Sequence, residues 1–211
     1  MNTLPERRRP RRHDWWADCH TGVVVLMLLV TAAPLFAHEQ GGQGLGFWTG
    51  LQHLVSGLDH VLAMVSVGLW GAQLGAPAVW ILPVAFPMVM AVGGFLSLVG
   101  IPIPGVEIGI ALSAILLGVV VALEARPSLA VAAAVVSLFA IFHGHAHGTE
   151  LPPGQNGLAY SMGFVVATGS LHAAGILIGL MQARSAGKIV LRLSGAVVTM
   201  AGLVFLWRAF S

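Results

Sequence analysis

Charged residues are scarce in this chain. Only 9% of its 211 residues are Asp, Glu, Lys or Arg, while 57% are hydrophobic, and the mean hydropathy is +0.88. Soluble domains carry about 25% charged residues. The composition therefore excludes an ordinary soluble domain. It predicts an all-α fold, a polytopic membrane helix bundle surrounded by the lipid bilayer.

Cysteine is almost absent, and Cys19 is the single example. This excludes an intramolecular disulfide and a thiolate metal site. Positive charge is concentrated in one short stretch, because half of the Lys and Arg residues lie within residues 7–12, before the first apolar run. A pI near 9.3 therefore does not indicate a nucleic-acid partner. Because the sequence has no Gly-x-Ser-x-Gly elbow, phosphate-binding loop or His-Glu-x-x-His motif, we expect no enzymatic activity and no bound cofactor.

The first 37 residues have the pattern of a secretory signal peptide. A basic stretch precedes the apolar run Val23–Val30, and Pro34 and Ala37 predict cleavage before His38. The chain is then expected to consist of a signal peptide, residues 1–37, and a transmembrane domain, residues 38–211. A retained signal anchor is the alternative, although the stretch Gly22–Ala37 is shorter than the ~20 residues that span a bilayer. Cleavage would leave His38 with a free α-amine, and the two groups form a chelating pair for nickel or copper.

About six apolar segments follow, and they predict transmembrane helices. The third and fourth segments are joined near Arg126, and the fifth and sixth near Arg184, Lys188 and Arg192. Both turns lie on one side, which the positive-inside rule assigns to the cytoplasm. The mature N-terminus is then periplasmic. The predicted segments are Gly46–Leu74, Pro77–Val99, Val106–Leu123, Leu129–His143, Gly157–Gln182 and Lys188–Trp207, with a polar loop from Gly144 to Asn156.

One polar motif lies within the first segment and contains His53, Gly57, Asp59 and His60. On a continuous helix the two histidines would be about two turns apart and share a face. Asp59 is interpreted as a ligand or as a carboxylate that holds an imidazole in one tautomer. An ionisable group at the bilayer centre costs about 2.5–3.5 kcal/mol, so a buried structural role is the weaker interpretation. Imidazole with carboxylate predicts a divalent transition metal.

A second polar motif follows the fourth segment, in the run 143–150. His143 and His147 have the one-turn spacing of paired metal ligands, with Glu150 three residues later and His145 pointing elsewhere. The two glycines in this run leave open an irregular loop that enters the protein, as well as a loose, exposed histidine-rich loop. His172 lies in the middle of the fifth segment, where a ligand and an interhelical hydrogen bond are equally compatible with the sequence.

These residues resemble the signatures of the HupE/UreJ family. One departure is Leu54, which stands where the family has Pro. This difference changes the local helix start and leaves the candidate metal ligands unchanged. The resemblance covers about residues 38–210. The matching segments are His53–His60 with Leu62–Met64, Phe142–Glu150, Tyr160, Gly163, Ala167–Thr168 and Leu171–His172.

The resemblance implies a small secondary permease for Ni²⁺, with Co²⁺ as the other candidate ion, in the bacterial inner membrane, linked to hydrogenase or urease maturation. The ion is the transported substrate. Binding needs neutral imidazoles and is expected to weaken as the pH falls through about 6.5. A membrane-embedded zinc hydrolase and a metal-binding accessory protein remain alternatives, and a homo-oligomer is compatible with the sequence. The candidate metal-binding residues are His38, His53, Asp59, His60, His143, His147, Glu150 and His172.

Overall fold

The computed structural model describes residues 42–149, 156–183 and 185–211, and this part of the chain is helical apart from short turns. The signal peptide and its cleavage site lie outside the described residues. The helices are α1 (Gly42–Ser56), α2 (Leu58–Leu74), α3 (Ala78–Leu98), α4 (Val106–Ala122), α5 (Leu129–Thr149), α6 (Gly157–Gly179) and α7 (Ser185–Phe210), with a 3₁₀ turn at Leu180–Ala183 between α6 and α7.

All six predicted apolar segments form helices, so the all-α class is confirmed. Among the described residues, four helices, α3, α5, α6 and α7, are individually long and apolar enough to cross a membrane. The bent pair α1 and α2 meets the same requirement as one broken span, and α4 is a shorter apolar helix of 17 residues. The described chain therefore has the composition of a multi-pass membrane protein.

The first segment is not one continuous helix, and this corrects the sequence-based prediction. Helix α1 ends at Ser56 and α2 begins at Leu58, with an angle of 83° between them. Gly57 between them is extended, at φ −85° and ψ 105°, and glycine is a poor helix former. Polar side chains satisfy the exposed backbone groups: Ser56 Oγ donates to the His53 carbonyl at 2.7 Å, and Asp59 Oδ1 accepts from the His60 backbone N–H at 2.8 Å. A Cβ atom at Gly57 would lie 2.9 Å from His60 Nδ1, so this glycine makes room for the ring.

The predicted end of the fourth segment at His143 is wrong, because the helix continues through the second motif; of the arrangements that the sequence left open there, the structure has the helix. Helix α5 continues from Leu129 to Thr149 and contains all three histidines of the run. Gly144 lies directly against the backbone of Met90 on α3, and Gly93 on α3 lies against the backbone of Ile141 on α5. Small residues let membrane helices approach closely. This packing outweighs the low helix propensity of glycine and keeps the motif helical.

Helix α6 packs against both halves of the broken first span. Gly163 on α6 lies against the backbone of Phe47 on α1, and Gly175 lies against the backbone of Val65 on α2. Helix α5 packs against α3, and α4 packs against α7.

Candidate metal centre

Four histidine rings from three helices form a contiguous row. His53 comes from α1, His60 from α2, and His147 and His143 from α5. Their ring centroids are 5.1 Å apart for His53 and His147, 4.4 Å for His147 and His60, and 4.8 Å for His60 and His143. We call these four residues the histidine row. The two sequence motifs, more than 80 positions apart in the chain, therefore meet in space.

His147 is central to the row. Its Nδ1 atom lies 3.2 Å from His53 Nε2, and its ring also packs edge-on against Phe164 of α6 at 4.4 Å. His147 is 8% exposed, whereas His53 is half-buried. The row therefore runs from a half-buried rim at His53 into the bundle.

The break at Gly57 explains how His53 and His60 come together. The prediction that they share one face of a continuous helix is wrong, because the helix ends between them. They lie instead on two helices that meet at a sharp angle, and each ring contacts His147. The same break exposes the first turn of α2, where Asp59 is half-buried.

Asp59 holds the ring of His60. Its Oδ1 atom lies 2.8 Å from His60 Nδ1 and also accepts the His60 backbone N–H. A carboxylate accepts and cannot donate when ionised, so the ring proton resides on Nδ1 and the lone pair on Nε2. His60 Nε2 is buried and has no hydrogen-bond partner among the described residues. This geometry corresponds to the predicted tautomer-holding role of Asp59.

His143 is the deepest member of the row and is fully buried. Its Nε2 atom lies 2.9 Å from Ser113 Oγ on α4, and its Nδ1 atom has no hydrogen-bond partner among the described residues. Sequence reasoning missed Ser113. The available signal was a hydroxyl in the middle of an apolar helix, which is common in membrane helices and does not by itself indicate a site.

The other predicted residues occupy different positions. His145 points away from the row, as predicted, and its Nε2 atom lies 2.9 Å from the carbonyl oxygen of Ile101 in the turn between α3 and α4. His38 and Glu150 lie outside the described residues. Within the described ranges, no three His, Asp or Glu side chains are arranged to hold one metal ion together. The rings of the row contact one another in pairs.

Comparison with known proteins identifies the family. The sequence model described as "HupE / UreJ protein" matches residues 26–205. The chain belongs to the HupE/UreJ family. A relative named Protein HupE, from Rhizobium leguminosarum bv. viciae, is 46% identical over 184 residues, which cover 87% of this chain and 96% of the relative. No solved structure matches the chain.

In this HupE/UreJ chain, His172 lies apart from the row. The ring of Phe86 on α3 contacts both His143 and His172, with centroid distances of 5.5 Å and 5.7 Å. Both Phe86 and His172 are buried, and the His172 ring makes no hydrogen bond of standard geometry among the described residues. The backbone carbonyl of Pro83 approaches this ring. This carbonyl has no N–H partner within its own helix, because the residue four positions later is Pro87, which has no N–H.

Two cavities reach the polar residues of this HupE/UreJ chain. One, of about 360 Å³, lies where α2 and α4 begin and α7 ends, and Asp59, Glu107 and Arg208 line it. The other, of about 240 Å³, lies between α3, α5 and α6, and His147 and Tyr160 are among its lining residues. The first cavity ends at the carboxylate that holds His60. Asp59 therefore lines this cavity and also bonds to His60 of the histidine row, although none of the four histidines lines the cavity itself.

Proposed function

We propose that this protein is a secondary transporter that carries Ni²⁺ or Co²⁺ across the bacterial inner membrane and supplies the metal to hydrogenase or urease maturation. Membership of the HupE/UreJ family supports this role. The observation that carries the proposal is the histidine row, in which four imidazoles from α1, α2 and α5 contact one another within an apolar bundle.

The row has the chemistry that a late first-row divalent ion requires. Neutral imidazole suits nickel and cobalt, and carboxylate assistance is available from Asp59. Neighbouring rings are close enough for an ion to exchange one imidazole for the next. Transport needs binding that is favourable enough to admit the ion and weak enough to release it. A row of paired contacts fits a moving ion better than a single closed coordination shell would.

The charges suggest a direction for transport. Lys188 and Arg192 lie at the start of α7, and Arg126 lies between α4 and α5, so these ends face the cytoplasm by the positive-inside rule. The cavity with Asp59 and Glu107 is at the opposite ends of α4 and α7 and then opens to the periplasm. An ion entering there moves toward a negative interior, which favours each positive charge by about 2.3 kcal/mol per 100 mV.

Radioactive nickel uptake tests the proposal in cells that lack their own nickel permeases. We expect accumulation with the wild-type protein, competition by cobalt, and no uptake above empty-vector cells with His60→Ala at matched membrane expression. His145→Ala is the matched control, since that histidine belongs to the same run as His143 and His147 but bonds to the Ile101 carbonyl. We expect it to retain uptake per inserted molecule.

Two other outcomes would point to different functions. Tight stoichiometric zinc in the purified protein, with turnover of a lipid or peptide and no accumulation in cells, would indicate the membrane-embedded hydrolase. Metal binding without uptake or turnover, and loss of a partner complex in His60→Ala, would indicate an accessory protein. Either result would contradict the proposed transport function.

A further inference from the structure

Ser113 and His143 form a buried contact between α4 and α5 that the two sequence motifs do not include. The serine side chain is fully buried, as is the imidazole. Ser113 Oγ lies 2.6 Å from the carbonyl oxygen of Ile110, one turn earlier on its own helix, and 2.9 Å from His143 Nε2. The hydroxyl therefore has two polar neighbours and one proton to share between them.

The proton of the hydroxyl is committed to Ile110. A carbonyl oxygen only accepts hydrogen bonds, so two oxygens 2.6 Å apart require the Ser113 hydroxyl to donate. Serine side chains in helices commonly bond back to such a carbonyl. With its proton used, Ser113 Oγ acts toward His143 as an acceptor, and His143 Nε2 must carry a hydrogen. In the neutral ring this leaves the lone pair on Nδ1.

We propose that Ser113 is a positioning residue that fixes His143 in the Nε2–H tautomer and presents Nδ1 to the transported ion. The inference rests on the proposed function for the identity of the ion. His143 Nδ1 is buried and has no hydrogen-bond partner among the described residues. It is thus the atom of that ring that remains available for a metal.

The neighbouring ring has the opposite arrangement. Asp59 accepts the Nδ1 proton of His60, which leaves Nε2 with the lone pair, and that atom is also buried and unpartnered within the described ranges. The two rings contact edge to face, with centroids 4.8 Å apart and an interplanar angle of 87°. One ring therefore offers Nε2 and the next offers Nδ1, each fixed by a group from outside the row. Partners of this kind set the tautomer and the orientation of metal-binding histidines.

The test compares Ser113→Ala with Ser66→Ala in the full-length purified protein. Ser66 is a suitable control because it is also fully buried in an apolar helix, and its hydroxyl has no hydrogen-bond partner in the described part of the chain. Nitrogen-15 NMR of histidine-labelled protein without metal reports which ring nitrogen carries the proton, with the His143 signal assigned by its loss in His143→Gln. Titration with Co²⁺ then reports the affinity.

We expect the wild-type and Ser66→Ala proteins to show His143 protonated on Nε2, and Ser113→Ala to lose this single tautomer. Co²⁺ affinity should fall about 10- to 100-fold in Ser113→Ala, the usual effect of removing such a partner, and should not change in Ser66→Ala. Protonation of wild-type His143 on Nδ1, or wild-type Co²⁺ affinity in Ser113→Ala, would overturn the proposal. The NMR measurement requires neither metal nor transport. Failure of the proposed transport function can therefore be distinguished from failure of the proposed role of Ser113.

Discussion

His53 Nε2 lies 3.2 Å from His147 Nδ1, although the two residues are 94 positions apart and belong to helices α1 and α5. Each ring nitrogen either carries a proton or offers a lone pair, so this contact shares one proton between two imidazoles. An ion that binds either of these two atoms must replace the contact. Metal binding at one ring is therefore coupled to the state of the other.

This coupling predicts a non-additive double-mutant cycle. His147 also contacts His60, whereas His53 lies at the half-buried rim, so His147→Ala should weaken Co²⁺ binding more than His53→Ala. The double variant should bind little worse than His147→Ala alone, with a coupling energy of about 0.5–3 kcal/mol. Co²⁺ titration of the four purified proteins measures it. Additive effects would show that the two rings act independently.

Asp59 should act through His60 and not only through its charge. In Asp59→Ala no side-chain oxygen remains to accept the His60 Nδ1 proton, whereas an asparagine at this position would keep one in its amide carbonyl. We expect Co²⁺ affinity about 10- to 100-fold lower, measured by titration of the purified protein. Glu107→Gln is the control, because Glu107 lines the same cavity without holding a ring. Equal losses in both variants would indicate a general effect of negative charge.

The sequence predicted which segments are helical more accurately than where these helices end, and two glycines show why. Apolar runs of about 20 residues suffice to predict membrane helices, and all six segments are present. The break at Gly57 and the continuation of α5 through Gly144 were not predictable from propensity, since both residues are glycine and their neighbours decide the outcome. At Gly57, side chains of the motif satisfy the helix ends. At Gly144, the backbone of α3 is in direct contact.

The histidine row could be predicted only in part. The two motifs identify their histidines because ionisable groups are rare in an apolar chain. Their order along the row and the contact of His143 with Ser113 depend on how α4 and α5 pack. No spacing rule relates residues on different helices, so this part required the structure.

Gly144 should be intolerant of alanine, because an added Cβ would collide with the Met90 backbone and force α3 and α5 apart. Such overpacking costs about 1–3 kcal/mol, and we expect Gly144→Ala to lower the unfolding temperature in detergent. Gly169→Ala is the matched control on α6, where an added Cβ would meet nothing within 4 Å. It should leave the unfolding temperature unchanged or raise it slightly, since alanine favours helix. The same decrease in both variants would contradict the packing argument.

His172 should be required for transport but not for binding at the histidine row. Among the described residues its ring contacts Phe86 and no ring of the row, so we expect an ion held in the row not to contact His172. We therefore expect His172→Ala to abolish nickel uptake in cells while the purified variant binds Co²⁺ with wild-type affinity. His143→Ala, which removes a ring of the row that contacts the same phenylalanine, should lose both. If His172→Ala also lost Co²⁺ binding and remained folded, His172 would belong to the same site as the row.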